Sequence, residues 1–234
     1  MAAYGSESLQ SVQDGRYRLS FTVGGLLADQ GQTVAALLVE TLLHVDGNAE
    51  KQSPIDDATE LGKQAAMVRQ QAIDENVLHV RTRSANVRTV REVLKRLSAL
   101  TWQELRHLAN CDSPLPDRQA LMWVAMCRYY AVVGEFANEV LHEHFLVGAP
   151  TLTYDDYDRF MLGKALWHPE IEELSISTVA KLRANVFKAL FEANLLNKAN
   201  NAIVPSLLSG ELAGILMNRA DSFGYFPMRA TNRA

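Results

Sequence analysis

Residues 177–193 carry side chains of the types that could meet a polyanion. Laid out at about 100° per residue, Val179, Leu182, Val186, Ala189, Leu190 and Ala193 share one face, and Ser177, Lys181, Ala184, Asn185 and Lys188 share the other. The second face is cationic and hydrogen-bonding. Lys181 and Lys188 can neutralise phosphates and release counterions. Ser177 and Thr178, at the helix start, can offer hydroxyl and backbone donors to a phosphate oxygen, and Asn185 matches the donor–acceptor edge of adenine. Arg183 flanks the apolar face as a further contact. A second basic concentration comprises Arg81, Arg83, Arg88, Arg91, Lys95 and Arg96, with Glu92 the one acid among them. On a helix over 84–100, Val87, Val90, Leu94 and Leu97 face inward, which turns Arg88 and Lys95 outward and leaves Arg91 on the flank. Such a stripe suits phosphate binding, and the two segments together could span one duplex. Either pattern also fits a solvated helix surface.

Other clusters of reactive residue types do not assemble into a centre. His142 and His144 diverge by about 200° around a helix and cannot both face one ion. His168, before Pro169 and the acids Glu170, Glu172 and Glu173, suits packing at a helix end rather than acid–base work. Asp155, Asp156 and Asp158 fall in a first helical turn, where negative charge meets the positive end of the helix dipole. Gly24-Gly25 lacks the spacing and preceding strand of a dinucleotide fingerprint, and reads as a close helix–helix approach. Cys111 and Cys127 are too far apart for a CxxC pair and read as reduced, buried thiols. No nucleophile elbow, Walker motif or HExxH occurs. The expectation is a protein with no catalytic residue, no metal site and no cofactor.

The elements that must position these faces are helices. Residues 32–43 place Val34, Leu37, Leu38, Thr41 and Leu42 on one side, and the same periodicity marks 58–75, 84–100, 117–130 and 135–145. Thr101 and Glu104 have capping-box spacing, and Asp117 is placed as a cap. Residues 46–59, rich in Asp, Asn, Ser and Pro, read as a polar loop. Gly148-Ala149-Pro150 marks a boundary, with Thr153 and Asp156 starting the next helix. Beyond it come a helix over 154–167, a turn after Pro169, the helix over 177–193, a hairpin over 195–204 tipped by Lys198-Ala199-Asn200-Asn201, and a helix over 206–218. That order is the outline of a winged helix-turn-helix.

The domains expected are a tail (1–15), an N-terminal helical domain (16–149), a winged helix-turn-helix-like module (150–228) and a short tail (229–234). With 48% apolar residues, the 234-residue chain can bury a large core. Its net charge of −4 means that a polyanion must meet a local basic face, because the overall field repels it. Residues 1–13 lack the pattern of a signal peptide, and the apolar run 120–133 is too short, and interrupted by Arg128, to cross a bilayer. A cytoplasmic monomer with no membrane contact is expected.

Several motifs in order resemble the BrxA family of BREX phage-defence systems. They are Arg16-Tyr-Arg-Leu-Ser-Phe-Thr-Val-Gly-Gly-Leu-Leu27, Leu152-Thr-Tyr-Asp-Asp-Tyr-Asp-Arg-Phe160, Lys164-Ala-Leu-Trp-His-Pro-Glu170, and residues 174–196 with Ser177-Thr-Val-Ala-Lys-Leu-Arg183. The resemblance implies an all-α fold with helix-turn-helix elements, binding to double-stranded DNA, and service beside other BREX components that carry the methyltransferase and ATPase activities. Carried across, Ser177, Thr178, Lys181 and Arg183 are the matching contacts. The chain departs from the family at the longer polar stretch 46–59, and at Asn194, where Gly is more usual. Asn tolerates a left-handed helix terminus, so the turn is expected to survive. Two alternatives stay open: a protein-interaction scaffold within the same complex, and an RNA-binding, antitermination-like helical module.

Overall fold

The structure, a computed structural model, describes residues 12–13, 15–21, 23–45 and 60–229. The polar stretch 46–59 and most of both expected tails fall outside that set. The fold is all-α, relieved by a two-residue antiparallel pair, β1 (Val12–Gln13) and β2 (Arg16–Tyr17). Among the described residues no helix is long and apolar enough to cross a membrane.

Two compact units form, one from residues 26–125 and 208–218, the other from residues 1–25, 126–207 and 219–234. They do not divide at the Gly148-Ala149-Pro150 cluster, as the sequence suggests. Gly148 takes φ +77°, and the Gly148 and Ala149 N–H groups bond back to the carbonyls of Phe145 and His144. The cluster is therefore a left-handed helix stop that folds the chain back on itself. The Leu152 N–H then bonds the Asn201 carbonyl, and Lys164 reaches Glu135 and Glu139, so both sides of the turn join one unit.

In the unit of residues 26–125 and 208–218, α1 (Ala28–Val45) packs on α2 (Glu60–Asp74), α3 (Arg83–Leu97) and α4 (Trp102–Ala109). Val34, Leu38 and Leu42 of α1 are buried at i, i+4 and i+8, the spacing that lines one helix face. Thr101 and Glu104 form the expected capping box of α4. Helix α5 (Leu115–Tyr129) starts two residues before Asp117, so that carboxylate does not cap it and works elsewhere. Asp117 accepts from Ser209, the N-cap of α10 (Gly210–Leu216), at 2.6 Å and meets His107 at 3.0 Å. His107 lies 3.3 Å from Glu211 on its other side, so one imidazole links α4, α5 and α10.

The other unit is built on a continuous helical run: α6 (Ala131–Phe136), a π-helical stretch (Ala137–His142) and α7 (Glu143–Val147). Phe136 meets the rings of Tyr157 and Phe160 edge-on, seating α8 (Tyr154–Ala165), whose Thr153–Asp156 capping box is complete. A 3₁₀ turn (Pro169–Ile171) leads to α9 (Ile176–Glu192). Helix α9 ends in a Schellman motif, with Asn194 at φ 55° and the Leu195 N–H on the Leu190 carbonyl, so Asn fills the left-handed position as expected. The expected hairpin follows. Leu196 pairs with Ile203, the Asn197 N–H reaches the Ala202 carbonyl at 2.8 Å, and Ala202 bridges back to Thr151 ahead of α8. The pair of cysteines differs from expectation in one member: Cys127 is buried, which pushes its thiol pKa up, whereas Cys111 is exposed.

Candidate nucleic-acid interface

Helix α9 is positioned by an apolar face and by partners on α8. Leu182, Val186, Phe187, Ala189 and Leu190 are buried. Arg183 pairs with Asp158 and lies over the Tyr154 ring, whose edge meets Phe187 at 4.6 Å. The N-cap is Ser175, two residues earlier than expected, and its hydroxyl accepts from the Thr178 N–H at 3.2 Å. Ser175 also meets the hydroxyls of Ser177 and Thr178. Thr178 is thus a capping partner, its amide already satisfied.

The N-terminal segment reshapes what α9 presents. The Asn185 side-chain amide donates to the Phe21 carbonyl at 2.9 Å, and Phe21 is buried against Tyr130. A Cβ on Gly24 would stand 2.8 Å from Asn185 Oδ1, and one on Gly25 2.6 Å from Glu192 Oε2. The Gly24-Gly25 step is thus a strap laid on α9, not the helix–helix approach read from the sequence. Gly25 has φ +91°, which L side chains rarely adopt, so the backbone requires glycine there, whereas the Glu192 carboxylate beside it ends a flexible side chain. The strap is fastened upstream by Tyr17, whose N–H donates to Glu170 at 2.5 Å, whose hydroxyl donates to Glu135 at 2.6 Å, and whose ring stacks on His168. Burial, then the neighbouring carboxylate of Glu135, pushes the Tyr17 hydroxyl pKa up.

Three expected base or phosphate contacts on α9 are therefore otherwise engaged. Asn185 serves the strap and Arg183 serves Asp158, while Lys188 lies 3.7 Å from Glu192. What α9 leaves exposed is Ile176, Ser177, Ala180, Lys181, Ala184 and Lys188, and among the described residues Lys181 forms no ion pair. Lys198, exposed at the hairpin tip, is a cation that reading the helix alone passes over. Its place at a polar turn between two short apolar runs is the signal that could have found it.

Helix α3, in the other unit, supplies the second basic face. Its buried line is Asn86, Val90, Val93 and Leu97, while Val87 and Leu94 are only half-buried, so the face is rotated by about one residue from the expected one. Arg88, Arg91 and Lys95 are exposed along one side, and Arg81 precedes them, also exposed. The Arg88 Nε donates to the Ser84 carbonyl at 3.3 Å, and among the described residues Arg88 forms no ion pair. Arg83 instead pairs with Asp74 at 3.2 Å. Arg96 leaves the stripe altogether. It is 0% exposed, bonded to Glu92 at 2.9 Å and to the Leu26 carbonyl at 3.1 Å, because a buried guanidinium must be fully partnered.

Comparisons with known proteins agree with this architecture. A crystal structure of an uncharacterized protein from Magnetospirillum magneticum superposes with a TM-score of 0.69 over 91% of this chain and 99% of its own, at 19% identity, and so shares the fold. A BREX protein BrxA from Bacillus cereus is 29% identical over 61% of this chain and 71% of its own length. One from Escherichia coli is 26% identical over 53% of this chain and 57% of its own. The BrxA family model matches residues 57–220, a span holding α3, α8, α9 and the hairpin. The chain belongs to the BrxA family.

Proposed function

We propose that this chain is a non-catalytic component of a BREX phage-defence system that binds double-stranded DNA through the exposed, N-terminal half of α9 and the hairpin tip. The observation that carries this reading is an arrangement: Ser177 and Lys181 project from a helix that follows α8 across a turn and precedes a hairpin bearing Lys198. In a winged helix-turn-helix, that helix enters the major groove with its first turns on the base edges, and cations on both elements meet phosphates. The bridges from Thr151 to Ala202 and from Leu196 to Ile203 fit the order such a module needs, a short strand before the first helix and two after the second. Arg81, Arg88, Arg91 and Lys95 on and before α3 offer a second phosphate-binding stripe.

A second reading, docking to another BREX component, is favoured by one feature. Leu162, Leu166 and Trp167 are 74%, 80% and 82% exposed on and just after α8, and a cluster of large apolar side chains in water marks a contact surface more often than a lone one does. One experiment separates the two readings: titration of the purified protein with duplex DNA, single-stranded DNA and structured RNA at two salt concentrations, beside co-purification with co-expressed BREX components. Duplex preference that weakens with salt supports the first. Stable co-purification lost in a Leu166→Ala, Trp167→Ala double variant, without any duplex binding, supports the second. A preference for RNA contradicts both.

A further inference from the structure

Ile176 opens α9 with its side chain 91% exposed, and Ala180 and Ala184 follow it on the exposed surface at i+4 and i+8. That spacing draws an apolar edge about 12 Å long, at about 1.5 Å per residue, beside the polar edge of Ser177, Lys181 and Lys188. An Ile in water is ordinary when isolated. Here it heads a line of apolar side chains on the surface that the proposed function assigns to the major groove. The Arg and Asn that would pair with base edges are withdrawn from that surface, Arg183 by Asp158 and Asn185 by the Phe21 carbonyl, which leaves the lysines and the apolar edge.

We infer that α9 reads the 5-methyl groups of thymines, with Ile176 as the principal specificity-determining residue and Ala180 and Ala184 extending the same edge. The thymine methyl is the one apolar group that a standard base pair displays in the major groove, and it is matched by apolar side chains rather than donors. The edge is long enough to pass three or four base pairs at about 3.4 Å each. Lys181 and Lys198 then hold the phosphates on either side, and sequence preference comes from apolar contact. The inference rests on the duplex-binding reading and adds to it which chemical group on the base is recognised.

The test needs matched duplexes that differ only in the 5-methyl group: one containing thymine, the same one with deoxyuridine throughout, and a C·G-rich pair with cytosine or 5-methylcytosine. Each contacted methyl should contribute about fourfold in affinity. The parent protein should therefore bind the thymine duplex several-fold to about tenfold more tightly than its deoxyuridine twin, and should gain on 5-methylcytosine. In Ile176→Ala the thymine preference should narrow by about fourfold, because affinity for the thymine duplex falls by more than affinity for its deoxyuridine twin. Because the parent's response to 5-methylcytosine involves no substitution, a folding defect cannot mimic it. Equal binding of methylated and unmethylated duplexes, or a variant that loses both alike, overturns the methyl reading and leaves duplex binding standing. Binding to none of the duplexes overturns both.

Discussion

Asn185 and Lys181 stand one helical turn apart on α9, and the sequence assigns both to the outward face. Their fates differ because of a carbonyl 164 residues away from Asn185 in the chain. The angular position was legible; the strap that uses it was not, since helical periodicity holds no record of which distant backbone group needs a donor. The same holds on α3, where Arg91 and Arg96 look alike in sequence, yet Arg96 is fully buried against Glu92 and Leu26. Local spacing did disclose what is local: the Thr101–Glu104 and Thr153–Asp156 capping boxes and the left-handed Asn194 form as read. The residue-scale prediction follows from the strap. Asn185→Ala should lower folding stability by about 1 kcal/mol, measured by chemical denaturation, and leave duplex affinity unchanged. A variant of full stability with weakened binding would return Asn185 to the base-reading face.

At the scale of elements, the segment Gly15–Phe21 and the 3₁₀ turn form a latch beside α9. Glu170 is its centre. Burial by itself would raise its pKa, but the Tyr17 N–H, its own backbone N–H and His168 outweigh burial and hold the carboxyl below its ordinary value. A carboxylate depressed in the folded state stabilises fully above its unfolded pKa of about 4.3, and that contribution is lost as pH falls through the lower folded value. Stability followed by denaturation from pH 7 downward should thus drop below about pH 4.3, and Glu170→Gln should be weaker at neutral pH with a shallower acid loss. An identical acid profile in the variant would remove Glu170 from the latch. Which segments would be helical, and that a hairpin would follow α9, was readable from periodicity and turn residues. The π-helical stretch was not: no local pattern announces it, nor the Phe226 carbonyl that its His142 meets at 2.7 Å.

Over the whole molecule, a net charge of −4 coexists with two basic faces, one in each compact unit. The sequence located both faces but drew the unit boundary at a turn, because a Gly and Pro cluster marks where a chain bends, not which elements then pack together. The overall charge repels a polyanion at long range, so the proposed duplex binding would have to come from short-range phosphate contacts at Lys181, Lys198 and the α3 stripe. Such contacts leave a thermodynamic signature, since each neutralised phosphate releases condensed counterions and steepens the fall of affinity with salt by about 0.9 in log–log slope. The most direct measurement is that slope for duplex DNA, for the parent and for Lys181→Ala, Lys198→Ala. The account predicts a steep negative slope in the parent, made shallower by about 2 in the double variant; a salt-insensitive parent, or an unchanged slope in the variant, would contradict it.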